Sequence, residues 1–393
     1  MSLPLIRLLP GRDRRVKAGH PWAYSNEIAM TPAARALPPG TIVRLEGDDG
    51  VRHGMWHFNP HSLIAARLLD RDPAARPDPA WFAARLEEAR TLRARIGLGQ
   101  HHRLVHAEAD GLPGLVIDRY GDAFALQANT AGMEAATPLV VAALKDLFAP
   151  RVIVARNDSP VRALEGLDQH VRLLHGSEAA ARVEEGGLAF TVDLVGGQKT
   201  GWFHDQRENR ARVAALARGA SMLDAFCHTG GFGLVAAQAG ASSVLLLDRS
   251  EAALSLAMAT AHAHGLAGRV TALRAEAMEA MEAMAREGRR FDIVVADPPA
   301  FAKARKDIPA ALRAYARLAR VAARLVAPRG LLFLASCSHH IEPRAFAEAI
   351  AQGLWRARRD ARVLWSGGAG PDHPVHPMLP ESAYLKAQLF ALR

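Results

Sequence analysis

From residue 221 onward the chain alternates short apolar runs with polar or glycine-bearing turns. Ser221-Met-Leu-Asp224, Ser243–Asp248, Phe291–Asp297 and Gly330–Ala335 are such runs, and alanine-rich helical stretches separate them. That rhythm predicts a doubly wound parallel sheet, an α/β Rossmann-like domain. In such sheets ligands bind at the carboxyl ends of the strands.

The pattern upstream is different. Residues 1–72 predict a small β-rich module: Thr41–Glu46 alternates, Asp48-Asp-Gly50 is a hairpin turn, and Ile64–Leu69 is a short strand. A Pro/Ala/Asp linker at 73–79 leads into a helix with Phe82, Leu86, Ala89, Leu92 and Ile96 on one stripe. A second αβ unit follows. It has a tight turn at Gly111–Gly114, strands at Leu115–Asp118, Ala123–Asn129, Val152–Ala155 and Leu188–Val195, and a helix over Leu139–Phe148. The expected domains are therefore 1–72, 73–195 and 196–393.

Composition narrows the class. Half of the 393 residues are hydrophobic and 23% are charged, which excludes a disordered chain. The formal net charge of +9 favours an anionic partner such as RNA, although an arginine-rich proteome would give the same number. Cys227 and Cys337 are the only cysteines, so neither a disulfide framework nor a Cys-rich zinc site is expected. Two thiols in a cysteine-poor chain fit a reducing cytoplasm. The start lacks the features of a signal peptide, and no apolar run approaches the ~18 residues of a spanning helix. A soluble, cytoplasmic protein without a metal is expected.

Three strand ends carry cofactor chemistry. After Asp224, the stretch Phe226–Gly233 contains Thr229-Gly230-Gly231, whose bare backbone lets N–H groups and a helix N-terminus approach a carboxylate. Asp248, followed by Arg249, ends the next strand, where an acid can accept both hydroxyls of a ribose. Alternatively, Asp248 caps the helix after Ser250. A third strand, Val270–Leu273, ends near Glu276, placed to reach an adenine amino group. The glycine spacing is not that of dinucleotide binders and no Walker lysine is present. Three acids at successive strand ends suit S-adenosylmethionine better than NAD.

The reacting groups lie further on. Cytosine C5 is a poor nucleophile, and a thiolate adding to C6 makes it enamine-like. Cys337, between Ser336 and Ser338 at a strand end, is the nucleophile candidate, whereas Cys227 inside the glycine turn reads as an inert buried thiol. Asp297 precedes Pro298 and Pro299, which hold the backbone extended; it can hold a base edge or assist protonation. Phe301 can stack on a flipped base, and Lys303 follows in the same loop. His339 and His340 read as a solvated pair.

These residues resemble the bacterial large-subunit ribosomal RNA cytosine-C5 methyltransferases that carry an N-terminal PUA RNA-binding domain. The resemblance rests on Gly19-His-Pro-Trp22, Glu108–Asp118, Lys199–Arg207 with Asn209-Arg210, the glycine turn, Asp297-Pro-Pro299, Ser336-Cys-Ser338, Asp372-His-Pro374, Pro380-Glu381 and Tyr384-Leu-Lys386. It implies a PUA domain, a central αβ domain that helps hold RNA, and a class I S-adenosylmethionine-dependent domain. It also implies Cys337 as nucleophile and a cofactor bracket including Thr200, Phe203, Asp205, Gln206 and Arg207. Arg207 can pair with the cofactor carboxylate. The chain departs from the family at His228, often Tyr; at Ala300, often Lys; and at Glu276, often Asp. A methyltransferase acting on a purine or exocyclic amine and a non-catalytic RNA-binding assembly factor are the alternatives. A homodimer is left open.

Overall fold

A computed structural model of the chain describes residues 3–197 and 201–393. It divides into two compact units. The first comprises Met1–Val183, Val192–His204 and Pro371–Pro380; the second comprises Glu184–Thr191, Asp205–Gly370 and Glu381–Arg393.

The first unit holds two five-stranded sheets. One runs in the order Leu5–Arg7, Thr41–Glu46, Arg52–Phe58, Ala66–Asp70, Trp22–Ala23 and closes over Ile6, Val43, Leu45, Trp56 and Phe58. The other orders His170–His175, Val152–Asn157, Ala123–Ala128, Leu115–Tyr120 and His101–His106. Glu165 ties the two together, accepting hydrogen bonds from Asn59 Nδ2 at 3.0 Å and Ser62 Oγ at 2.9 Å. So the expected module 1–72 and most of 73–195 share this unit, while Glu184–Thr191 belongs to the second.

The expected helical stripe is corrected here. Helix Pro79–Arg95 buries Phe82, Leu86, Ala89 and Arg93, while Leu92 and Ile96 are exposed. Arg93 takes the inner position because both its amino groups pair with Asp110, and a buried charge is tolerated when paired in this way. The strands His101–His106 and His170–His175 escaped the apolar pattern because histidine and arginine interrupt them. The strand expected to reach Val195 stops at Asp193, whose carboxylate accepts the N–H groups of Val195 and Gly196 and turns the chain.

The second unit is the predicted α/β domain. Its strands are β1 Ser221–Ala225, β2 Ser243–Asp248, β3 Val270–Arg274, β4 Phe291–Ala296, β5 Val326–Ser336, β6 Ala361–Gly367 and β7 Lys386–Leu392. Its helices are α1 Arg207–Ala214, α2 Gly231–Gln238, α3 Glu251–Ala263, α4 Ala277–Arg286, α5 Ile308–Leu325 and α6 Pro343–Arg356. The sheet order is 3-2-1-4-5-7-6. β1 to β5 are parallel, as expected, but β7 is antiparallel to both β5 and β6. The sheet is therefore not wholly parallel.

The central strands are mostly apolar because helices cover both faces. On α5, Ala311, Tyr315, Leu318, Ala322 and Leu325 recur at helical spacing and pack with Phe346 and Ile350 of α6 and Val294 of β4. Gly353 permits the close approach of α6 to α5: a Cβ there would lie 2.4 Å from the Ala316 carbonyl oxygen. Among the described residues no helix is long and apolar enough to cross a membrane.

Candidate active site

The cofactor end of the site is a strained turn braced from two sides. Phe226 and His228 adopt left-handed conformations, with φ of 62° and 51°, and Gly230 follows at 78°. Non-glycine residues in that region are costly and persist where surrounding contacts hold them. One brace is Asp224, whose Oδ2 accepts the Gly233 N–H at 2.7 Å. The other is Asp248, which accepts the His228 N–H at 2.9 Å and the Ser250 N–H at 2.9 Å. The cap of α3 is Ser250 itself, so Asp248 is not the cap. Helix α2 starts at Gly231, directly behind the turn, with Thr229 and Gly230 buried at its entry. A Cβ on Gly233 would lie 2.4 Å from Leu246 Cδ2, so glycine lets α2 pack closely on β2 there.

Register sets the acids side by side. Ala225 pairs with Leu247, and Asp248 pairs with Arg274. The ends of β1, β2 and β3 therefore form one edge. Asp248 is half-buried on it; Arg249 and Glu276 are exposed, and Glu276 starts α4. Asp224 is 1% exposed and turned inward to Gly233. Burial, augmented by Asp297 and Asp248 and opposed by the Gly233 N–H, pushes its carboxyl up to about 7. It builds the turn from below. Burial also pushes the Cys227 thiol well up, with Asp224 and Asp248 adding to the effect, which leaves it inert at neutral pH. The helix start, the half-buried Asp248 and the exposed Glu276 carboxylate suit a zwitterionic ligand with a ribose and an adenine.

The bracket residues divide. Gln206 donates to Asp297 Oδ2 at 2.8 Å and accepts from Asn209 Nδ2 at 2.5 Å, so a buried amide pair fixes the acid beyond β4. Asp205 is buried and accepts the Tyr384 hydroxyl at 2.5 Å. Arg207 lies 3.9 Å from Glu185, to which Arg210 is bound through two nitrogens. Glu185 is thus one protein partner of Arg207, a competitor to the expected cofactor carboxylate. Phe203 is half-buried and belongs to the first unit. Thr200, with Lys199, lies outside the described residues.

Cys337 stands at the end of β5, half-exposed between two fully buried serines. Their hydroxyls converge on Tyr315 of α5: Ser336 Oγ lies 2.7 Å and Ser338 Oγ 2.9 Å from its hydroxyl oxygen. Ser338 Oγ also accepts the Ala302 N–H at 3.4 Å. Both neighbours face the α5 layer, and alternation along an extended chain sends Cys337 the other way. On the antiparallel β7, Lys386 pairs with Ser336, and its ammonium donates to the Ser338 carbonyl at 2.6 Å. Burial lowers its pKa to about 8, and attraction to Cys337 and Glu342 opposes that drop.

The expected base-stacking ring, Phe301, packs at 4.7 Å on Tyr315. Pro298 is buried, while Pro299 and Lys303 are exposed. His339, read as one of a solvated pair, is exposed but stacks on Tyr384 at 5.0 Å. No signal in the sequence pointed to Tyr315, and Asn209 and Lys386 entered only as motif residues of the family resemblance, without a role in the site. The visible signal was a lysine heading the apolar run Ala387–Leu392. Among the described residues one acidic cluster of metal-ligating type occurs elsewhere, Asp13, Asp48 and Asp49, and Lys17 pairs with Asp13 and Asp49 of it.

Residues 6–71 match a PUA-like domain, and residues 168–390 match the S-adenosylmethionine-dependent methyltransferase family. The ribosomal RNA large subunit methyltransferase I of Aliivibrio fischeri is 35% identical, over 99% of this chain and 98% of that protein. Its counterpart from Vibrio cholerae is 35% identical, over 98% of each. In fold, a SAM-dependent methyltransferase from Streptococcus mutans covers 99% of this chain and 100% of its own, with a TM-score of 0.81 at 19% identity. A methyltransferase crystallised with SAH gives 0.82 at 20%, covering 100% of both chains. The chain belongs to the S-adenosylmethionine-dependent methyltransferases and, among them, to the ribosomal RNA large subunit methyltransferase I family.

Proposed function

We propose that this protein methylates C5 of a cytosine in large-subunit ribosomal RNA through a covalent bond from Cys337 to C6. The observation that carries the reading is the setting of Cys337. It is half-exposed, its two neighbours are locked by Tyr315, and a buried ammonium is held beside it. Among the reactions of a methyltransferase, attack on a pyrimidine ring is the one that needs a thiol there. The names of the relatives support RNA of the large subunit as the target.

Bound S-adenosylmethionine supplies the electrophilic methyl group. Asp248 and Glu276 would hold its ribose and adenine, and the start of α2 would receive its carboxylate. Lys386 favours the ionised thiol by charge. The Cys337 thiolate adds to C6, the C5–C6 double bond opens, and C5 takes the methyl. Asp297, fixed by Gln206, holds the base edge. A base takes the C5 proton, and the electron pair of the broken C–H bond re-forms the double bond as the thiolate leaves. Residues 1–72 and 73–195 serve as the RNA-holding domains, and residues 196–393 perform the chemistry.

The test is a large-subunit RNA transcript containing 5-fluorocytosine, where fluorine blocks the proton loss that frees the enzyme. Wild type forms a denaturation-resistant, cofactor-dependent adduct. Cys337→Ala forms none and loses turnover, yet binds S-adenosylhomocysteine as wild type does. Near-normal methylation by Cys337→Ala would remove the covalent mechanism and favour a purine or an exocyclic amine as the acceptor.

A further inference from the structure

We propose a second RNA-contacting surface on the catalytic domain, at the end of the sheet opposite the methyl-transfer site. This rests on the reading of RNA as the substrate. The charge distribution motivates it. Residues 196–393 hold 26 basic and 17 acidic side chains, which accounts for the whole formal charge of +9. Within them, segments 286–290, 324–329 and 356–362 contain nine arginines against two acids, Glu287 and Asp360.

The fold gathers these segments. α4, α5 and α6 each run back from the site end and finish at Arg286, Leu325 and Arg356. The strands that follow begin there, and register aligns them: Phe291 pairs with Val326, Leu331 with Ala391, and Arg362 with Ala391. Arg359 knits the surface together by donating to the carbonyls of Ala323, Val326 and Ala327. Arg290 lies close enough to Arg359 to repel it. Among the described residues, Arg290, Arg356, Arg358 and Arg362 form no ion pair and are exposed. Amid them stands Trp355, 80% exposed at the end of α6.

Concentrated, unneutralised guanidinium groups fit a phosphate backbone, and an exposed indole among them offers a stacking face for an unpaired base. Acidic protein surface would satisfy the charges but would leave the indole without a planar partner. β4 spans six residues, so the surface lies about 20 Å from the strand ends that carry the site. It therefore grips RNA flanking the target, not the target base.

The test compares wild type, the triple variant Arg290→Gln/Arg356→Gln/Arg362→Gln, its Lys counterpart, and Trp355→Ala. Each is measured for binding to a long structured large-subunit RNA fragment and to a short oligonucleotide bearing the target. The Gln triple should bind the long fragment roughly tenfold more weakly or worse, and its slope of log affinity against log salt should fall by about 2–3. The Lys triple should keep most of the affinity. Trp355→Ala should lose about tenfold without a change in slope. KM for the long RNA should rise with kcat unchanged, and short-oligonucleotide and S-adenosylhomocysteine binding should not move. Wild-type affinity and slope in the Gln triple would overturn the proposal. So would normal binding to naked RNA with lost binding to ribosomal particles, which would assign the surface to a protein partner. If wild type methylates no RNA, the functional reading fails, while the binding arm still decides on the surface.

Discussion

Asp224→Asn separates a structural brace from a cofactor ligand. The wild-type carboxyl is fully buried, and burial raises its pKa from the ordinary 3.8 to about 7. About three pKa units at 1.36 kcal/mol each amount to roughly 4 kcal/mol. The sign follows from proton counting. Between about pH 4 and pH 7 the folded chain keeps a proton on Asp224 that the unfolded chain has lost. Wild-type stability from this group is therefore fully present below about pH 4 and gone above about pH 7. Asparagine cannot ionise, and its Oδ1 can still accept the Gly233 N–H. The variant should match wild type near pH 4 and exceed it by up to about 4 kcal/mol near pH 8. Urea unfolding of both proteins across that range, with calorimetric binding of S-adenosylhomocysteine, reads both quantities. A stability difference that does not change with pH would refute the buried, uncompensated carboxylate. Loss of cofactor binding without a stability gain would return Asp224 to the ligand set.

Three further outcomes follow from the site. Lys386→Met should lower kcat and remove the alkaline limb of the pH–rate profile, because wild-type Lys386 loses its proton near pH 8 and with it the attraction for the thiolate; an unchanged limb assigns it to another group. Tyr315→Phe should cost about 1–3 kcal/mol of stability by leaving two buried serine hydroxyls short of a partner, and should lower turnover while S-adenosylhomocysteine affinity stays constant. Asp248→Ala should weaken S-adenosylhomocysteine binding by about tenfold or more, about 1.4 kcal/mol, since ribose acceptors and the His228 brace are lost together; unaltered affinity on calorimetry would exclude it from the cofactor site.

Much of the catalytic domain was legible locally. Strand length, apolar runs and turn chemistry are properties of neighbouring residues, so β1 to β5, the glycine turn and the positions of Asp248, Asp297 and Cys337 at strand ends followed from the chain alone. What the chain alone left undetermined were contacts made across large sequence separations. The antiparallel insertion of β7 between β5 and β6 brings Lys386 beside Ser336, fifty residues earlier. Tyr315 reaches two serines from another layer, and Arg93 is buried because Asp110 comes to meet it. For Asp224 the chain leaves two orientations open, because an acid before glycines can face either way, and packing beneath the turn is what sets its carboxylate against the Gly233 N–H. The same holds for charge: composition shows an excess of arginine, but helices returning to one edge of the sheet decide that it becomes a surface. Periodicity encodes which residues are inside, whereas register and burial decide which of them meet.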